Sequence, residues 1–137
     1  MRPDEIYIND LLEAEFKDGG RGDGFFDCWG LVKETFHRFG TELPDYKIHC
    51  HAAGEINATI DGNRGGWQEI PKEEIENHVP CLVVMRFNQA HFCNHVGVYL
   101  GNRRFIHIAE KMGVGLDSID MPYWKRKIEG FYIRKGE

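Results

Sequence analysis

No apolar run in this sequence approaches the ~18 residues that a membrane-spanning helix requires, so no membrane partner is expected. Basic charge is also in short supply. Lys and Arg number 17 against 22 Asp and Glu, and the formal net charge is −5. A general nucleic-acid binder needs a basic footprint, so no nucleic-acid partner is expected. The only dense basic stretches are Asn102-Arg103-Arg104 and Lys125-Arg126-Lys127, which read as a solvated turn and a helix face. The opening residues Met1-Arg2-Pro3-Asp4-Glu5 lack the apolar region of a secretory signal, so the chain is expected to be made in the cytoplasm and, if its target lies outside, either to travel by another route or to have had a signal removed. Cysteines are few: Cys28, Cys50, Cys81 and Cys93, with no Cys-x-x-Cys pair. A chain of 137 residues can bury a core without disulfide staples, so all four are expected to be reduced. Repeats, low-complexity tracts and linkers are absent, and a single domain over 1–137 is expected.

What is present is an ordinary globular composition, 42% hydrophobic and 28% charged. Residues 8–17 read as a helix, with Asn9 or Asp10 as cap, Leu12 and Phe16 at i,i+4, and Gly19-Gly20 as the stop. The glycine-rich loop Gly19-Gly20-Arg21-Gly22-Asp23-Gly24 lets the backbone turn sharply or approach a neighbour closely, but it lacks the ending of a phosphate-binding loop. The clearest helix covers 28–39, with Asp27 as N-cap, Val32, Phe36 and Phe39 at helical spacing, and Gly40 as the stop. Residues 47–70 read as irregular, with a short helix over 53–60. From there the pattern turns to strands at 82–87, 95–100, 104–108, 114–116 and 130–134, with a helical turn at 122–127. Gly101-Asn102-Arg103 is a hairpin signal. Helices followed by an antiparallel meander make an α+β layout.

Chemistry gathers on one cysteine and two histidines. Cys28 opens a helix, where unpaired amides and the macrodipole favour a thiolate, and its own amide points toward an oxyanion forming beside the sulfur. A buried structural cysteine fits a helix start equally well. A nucleophilic thiol needs a base, and the base needs an orienting group. His95 and His107 sit on the two strands of the expected hairpin, where they can share a face and hydrogen-bond ring to ring. A satisfied or exposed histidine is the common alternative for either one taken alone. In a competing arrangement, His91, Cys93 and His95 alternate, and with His107, or with Cys50 flanked by His49 and His51, they would supply zinc ligands. That spacing fits no common zinc module, so neither a metal nor a cofactor is expected.

Taken in order, these residues resemble the NlpC-type cell-wall cysteine peptidases, a compact branch of the papain-like fold. Gly24-Phe25-Phe26-Asp27-Cys28-Trp29-Gly30-Leu31-Val32 is similar to the family's nucleophile motif, and Gly40-Thr41-Glu42-Leu43-Pro44 to its helix exit. His95-Val96-Gly97-Val98-Tyr99-Leu100-Gly101-Asn102 is similar to its base strand, and Phe105-Ile106-His107 falls at its third catalytic position, twelve residues on. The resemblance implies N-terminal helices packed on a central antiparallel sheet, with Cys28 as nucleophile, His95 as general base and His107 as orienter. It implies peptidoglycan stem peptide as substrate, cut between D-glutamate and a diamino acid, with Asp27, Trp29, Phe16 and Tyr46 on the substrate side. Phe16 stands where many members carry a tyrosine whose hydroxyl helps at the oxyanion, and a phenyl ring cannot donate that bond. Trp29, Leu43-Pro44-Asp45-Tyr46 and the stretch from Trp124 to Tyr132 look most like members encoded with phage tail genes, which implies delivery to the wall by a virion and tail proteins as partners. Two other functions fit the same residues: an amidase or acyltransferase using the same triad, and a non-catalytic tail-assembly or interaction domain.

Overall fold

The computed structural model describes residues 8–45, 66–86 and 95–134. The expected short helix at 53–60 lies outside them, as do Tyr46, Cys50, His91 and Cys93. One substantial helix, α1 (Cys28–Arg38), follows three two-residue strands, β1 (Glu15–Phe16), β2 (Arg21–Gly22) and β3 (Phe25–Phe26). After α1 come β4 (Trp67–Ile70), β5 (Cys81–Met85), β6 (His95–Gly101), β7 (Arg104–Ala109), β8 (Gly113–Ser118), the short helix α2 (Pro122–Lys125) and β9 (Ile128–Arg134). The small strands pair in the order β1-β3-β2, and the large ones form a six-stranded sheet in the order β4-β9-β5-β6-β7-β8. Every neighbouring pair of the large sheet is antiparallel. The sheet is therefore not a simple meander, because the last strand inserts between β4 and β5.

Strands β5 and β6 are buried along their whole length, since both faces of the sheet are covered. That is why Cys81-Leu82-Val83-Val84-Met85 reads as an unbroken apolar run rather than an alternating one. Leu82, Val84, Val96, Val98, Leu100, Ile106 and Ile108 face α1 and pack with its Leu31, Val32 and Phe36. The opposite face carries Val83, Met85, Tyr99, Phe105 and Phe131 against Ile75, Ile119 and Trp124. Each such side chain contributes about 1.5–3 kcal/mol when fully buried.

Helix α1 starts at the expected residue and ends one short of the expected 39, with Phe39 as its C-cap, because both ends are specified locally. Asp27 accepts a hydrogen bond from the Gly30 amide at 2.7 Å at the start. At the other end Gly40 takes φ +93°, with Thr41 N donating to Phe36 O and Gly40 N to His37 O, both at 2.9 Å, which is a Schellman closure. The hairpin signal also holds: Asn102 and Arg103 have φ of 54° and 65° between β6 and β7.

The segment 8–17 does not form the expected helix. Only Leu11–Glu13 make a single 3-10 turn. Ala14 is extended, and the chain then runs as β1, with Glu15 N bonded to Gly24 O at 2.9 Å and Lys17 N to Phe26 O at 3.0 Å. A ten-residue helix is marginal alone, and these amides find partners in the returning glycine loop instead. In the stretch expected to be irregular, Trp67–Ile70 pair with β9.

Candidate active site

The glycine loop is folded onto the first turn of α1. A Cβ on Gly30 would stand 2.1 Å from Gly20 O, and one on Gly20 would stand 2.8 Å from the backbone of Phe25. Backbone lies against backbone here, so the glycines serve this close packing. Between loop and helix sits Asp27, fully buried. Its Oδ1 accepts from Gly30 N and from Arg21 Nη1, each at 2.7 Å, and its Oδ2 accepts from Gly19 N at 3.0 Å. Arg21 in turn reaches Asp45 with Nε at 3.0 Å and Nη2 at 3.1 Å. The guanidinium and two amides satisfy a carboxylate that could not otherwise be buried.

This arrangement fixes Cys28 as the first residue of α1, buried within the cluster between helix and sheet. Its sulfur is disulfide-bonded. The expectation that all four cysteines are reduced therefore does not hold at Cys28. Cys81 is free and inert, because burial first and the neighbouring Glu76 carboxylate second push its thiol up to about 12.

Trp29 and Phe16 also have definite places. The Trp29 ring is fully buried, its Nε1 donates to Pro44 O at 3.1 Å, and it meets Trp67 edge-on with centroids 6.3 Å apart. Phe16 is half-buried against the helix-side core. Asp27, Trp29 and Phe16 thus all contact the protein's own interior, while Tyr46 lies outside the described residues.

The two histidines meet as the hairpin spacing implies. His95 and His107 are both buried, with His95 Nε2 3.1 Å from His107 Nδ1 and the rings at 86°. His107 stacks on Phe105 at 4.8 Å and meets Trp124 edge-on at 4.6 Å. Those two rings belong to the core on the face away from α1, so the histidine pair stands on that face and Cys28 in the helix layer. His95 is the first residue of β6, the strand against which α1 packs. At a strand's end the two layers can meet.

Asp117 completes the row and was not foreseen. Its Oδ2 lies 2.8 Å from His107 Nε2. Burial pulls the His107 imidazolium below its ordinary value of 6.5, and the Asp117 carboxylate opposes that shift. The expected strand at 114–116 stops one residue short of Asp117, whereas β8 runs through Gly113–Ser118 and sets Gly115 opposite His107. Continuing the alternation Gly113, Gly115, Asp117 on the His107 side would have found it.

Among the described residues no group of three or more His, Cys, Asp or Glu could hold a metal ion, and no helix is long and apolar enough to cross a membrane. The zinc arrangement rests on His91 and Cys93, which lie outside them.

A helix that opens on a cysteine, laid over an antiparallel sheet that carries a buried histidine pair, defines an α+β fold of the papain-like class. The chain belongs to the NlpC/P60 family, whose profile matches residues 13–132. It is 29% identical over 119 residues to the murein DD-endopeptidase MepS/murein LD-carboxypeptidase of Escherichia coli K12, covering 86% of this chain and 54% of that protein. It is 32% identical over 119 residues to a probable endopeptidase NlpC homolog of Haemophilus influenzae, with the same coverage. To the peptidoglycan DL-endopeptidase CwlO of Bacillus licheniformis it is 47% identical over 109 residues, 80% of this chain and 21% of that one. The chain thus spans about half the length of the first of these relatives, 54%, and less of the last. Among solved structures, an NlpC/P60 family protein from Bacillus cereus superposes with a TM-score of 0.62 at 20% identity, covering 88% of this chain and 35% of that one. A protein of the NLP/P60 family from Staphylococcus aureus, described as similar to lipoprotein, gives 0.59 at 23% identity, covering 95% of this chain and 40% of that one. At that identity the two structures support the fold.

Proposed function

We propose that this chain is a peptidoglycan-directed cysteine endopeptidase. The observation that carries the reading is the buried His95–His107 pair, held 3.1 Å apart across β6 and β7, the two neighbouring strands against which the Cys28 helix packs, in a chain of the NlpC/P60 family. Relatives named as murein or peptidoglycan endopeptidases supply the substrate class. Their names differ in the bond cleaved, and the D-glutamyl–diamino acid bond is the choice that the motif resemblance favours. Delivery as a virion tail component rests on the resemblance of Trp29, of Leu43-Pro44-Asp45-Tyr46 and of the stretch from Trp124 to Tyr132 to phage-encoded members.

The chemistry begins with reduction. A dithiol gives up two electrons and two protons and becomes a disulfide, while the disulfide at Cys28 opens to two thiols. His95 takes the Cys28 proton, and the thiolate attacks the amide carbonyl carbon. The oxyanion then collapses, the leaving amine takes the proton back from the imidazolium, and a thioester remains. His95 next deprotonates a water that attacks the thioester, and the products are a carboxylic acid and the free thiol. The Cys28 amide is the oxyanion donor at hand, since Phe16 offers no hydroxyl.

The test is release of peptide fragments from purified sacculi, followed by mass spectrometry with a reductant present. The wild-type chain is expected to release stem-peptide fragments, and Cys28→Ala to lose at least about a thousandfold of that rate, as when a nucleophile is removed. Full activity in Cys28→Ala would refute the mechanism. Products ending elsewhere than at a stem-peptide amide would favour the amidase or acyltransferase reading.

A further inference from the structure

We propose that Asp117 is a positioning residue that decides which nitrogen of each histidine carries a proton, and thereby makes Nδ1 of His95 the base atom. The inference rests on the reading of His95 as base and extends it by one residue. An ionised carboxylate only accepts hydrogen bonds. With Asp117 Oδ2 at 2.8 Å, Nε2 of His107 must be the protonated nitrogen. A neutral His107 then presents the lone pair of Nδ1 to its neighbour. That lone pair, 3.1 Å from His95 Nε2, requires a proton on the latter. His95 is left with one unprotonated nitrogen, Nδ1, whose lone pair is the one that takes the proton of a thiol.

The surroundings are shaped for this row. His107 is flanked in register by Gly97 on β6 and Gly115 on β8. A Cβ on Gly115 would lie 2.9 Å from Asp117 Oδ2 and 3.3 Å from His107 Nε2, so the gap in which carboxylate and ring meet exists because residue 115 has no side chain. A Cβ on Gly97 would lie 3.0 Å from His107 Cβ and 2.6 Å from Ile106 O. Phe105 and Trp124 hold the ring plane from the apolar side. Asp117 and His95 are thus the polar partners of a ring that is otherwise packed by glycines and aromatics.

The test uses the reduced full chain, uniformly labelled with nitrogen-15, and long-range proton–nitrogen spectra of the imidazoles. In the wild type at a pH where both rings are neutral, His107 and His95 should each show the Nε2–H tautomer. In Asp117→Asn, whose amide can either donate or accept, His107 should become a mixture of tautomers and His95 should follow it. Gly115→Ala, which displaces the carboxylate without removing it, should move the tautomers in the same direction. If sacculi are turned over, kcat should fall about 10- to 100-fold in Asp117→Asn with KM little changed, the size expected for one charge-assisted hydrogen bond. Unchanged tautomers in both variants would overturn the role of Asp117 even if the chain is an active peptidase. Absence of any turnover by the wild type would instead overturn the peptidase reading, and the spectra would still decide the question of Asp117.

Discussion

The two halves of the candidate site are held by different kinds of structure. The thiol half is local: Gly19, Gly20, Arg21, Asp27, Cys28 and Gly30 lie within twelve residues of one another, and backbone amides, one cap and one guanidinium define it. The histidine half is built across strands: His95, His107 and Asp117 come from three strands, and only register brings them into a row. A local device is specified by residue type at fixed spacing. A cross-strand device is specified by where each strand begins and how it pairs.

That difference sets what each perturbation does. The largest expected effect falls on the local half. Asp27→Ala removes the helix cap and leaves Arg21 with less of its counter-charge, so unfolding free energy should drop by about 3 kcal/mol, between the cost of a lost cap and that of a broken buried pair. Urea denaturation measures it. A loss below about 1 kcal/mol would mean that the glycine loop, and not the carboxylate, holds the helix start.

Acidification probes the histidine half. Burial places the folded His107 value below the unfolded one, so the unfolded chain binds the proton more tightly. The stability this represents is fully present above about 6.5 and is lost as pH falls through the folded value. Thermal melting between about pH 7 and pH 5 should therefore show a decline that is smaller in His107→Gln than in the wild type. Parallel declines in the two proteins would contradict the assignment. The smallest effect is expected at the far end of the local half. Gly40 has φ +93° and nothing within 4 Å of a Cβ, so Gly40→Ala should cost only the backbone penalty, about 1 kcal/mol, with activity on sacculi unchanged.

The same contrast explains how much was legible in the sequence. Helix α1 could be read to its ends, because Asp27 and Gly40 are signals confined to one turn each. The His95–His107 contact could be read because a tight hairpin makes register nearly local. Asp117 is harder to read, since the apolar pattern of β8 fades before it and only an alternation carried past Gly115 on a third strand points to it. Residues 8–17 were misread for a related reason. Their helical spacing is genuine, but Glu15 and Lys17 bond to a loop that returns from Gly24 and Phe26, and no periodicity within the segment records that partner. The disulfide at Cys28 was equally invisible, because cysteine spacing does not report which sulfurs meet in space.

The central claim is that Cys28, once reduced, is an activated thiol served by His95. Its most direct measure is the rate of iodoacetamide alkylation at each cysteine against pH, in the reduced wild-type chain and in His95→Ala. The account predicts that wild-type Cys28 reacts well below the ordinary thiol range near 8.5, that His95→Ala returns it toward that range, and that Cys81 stays slow in both, since its thiol is pushed up to about 12. A Cys28 profile that titrates like an ordinary thiol and does not change in His95→Ala would contradict it.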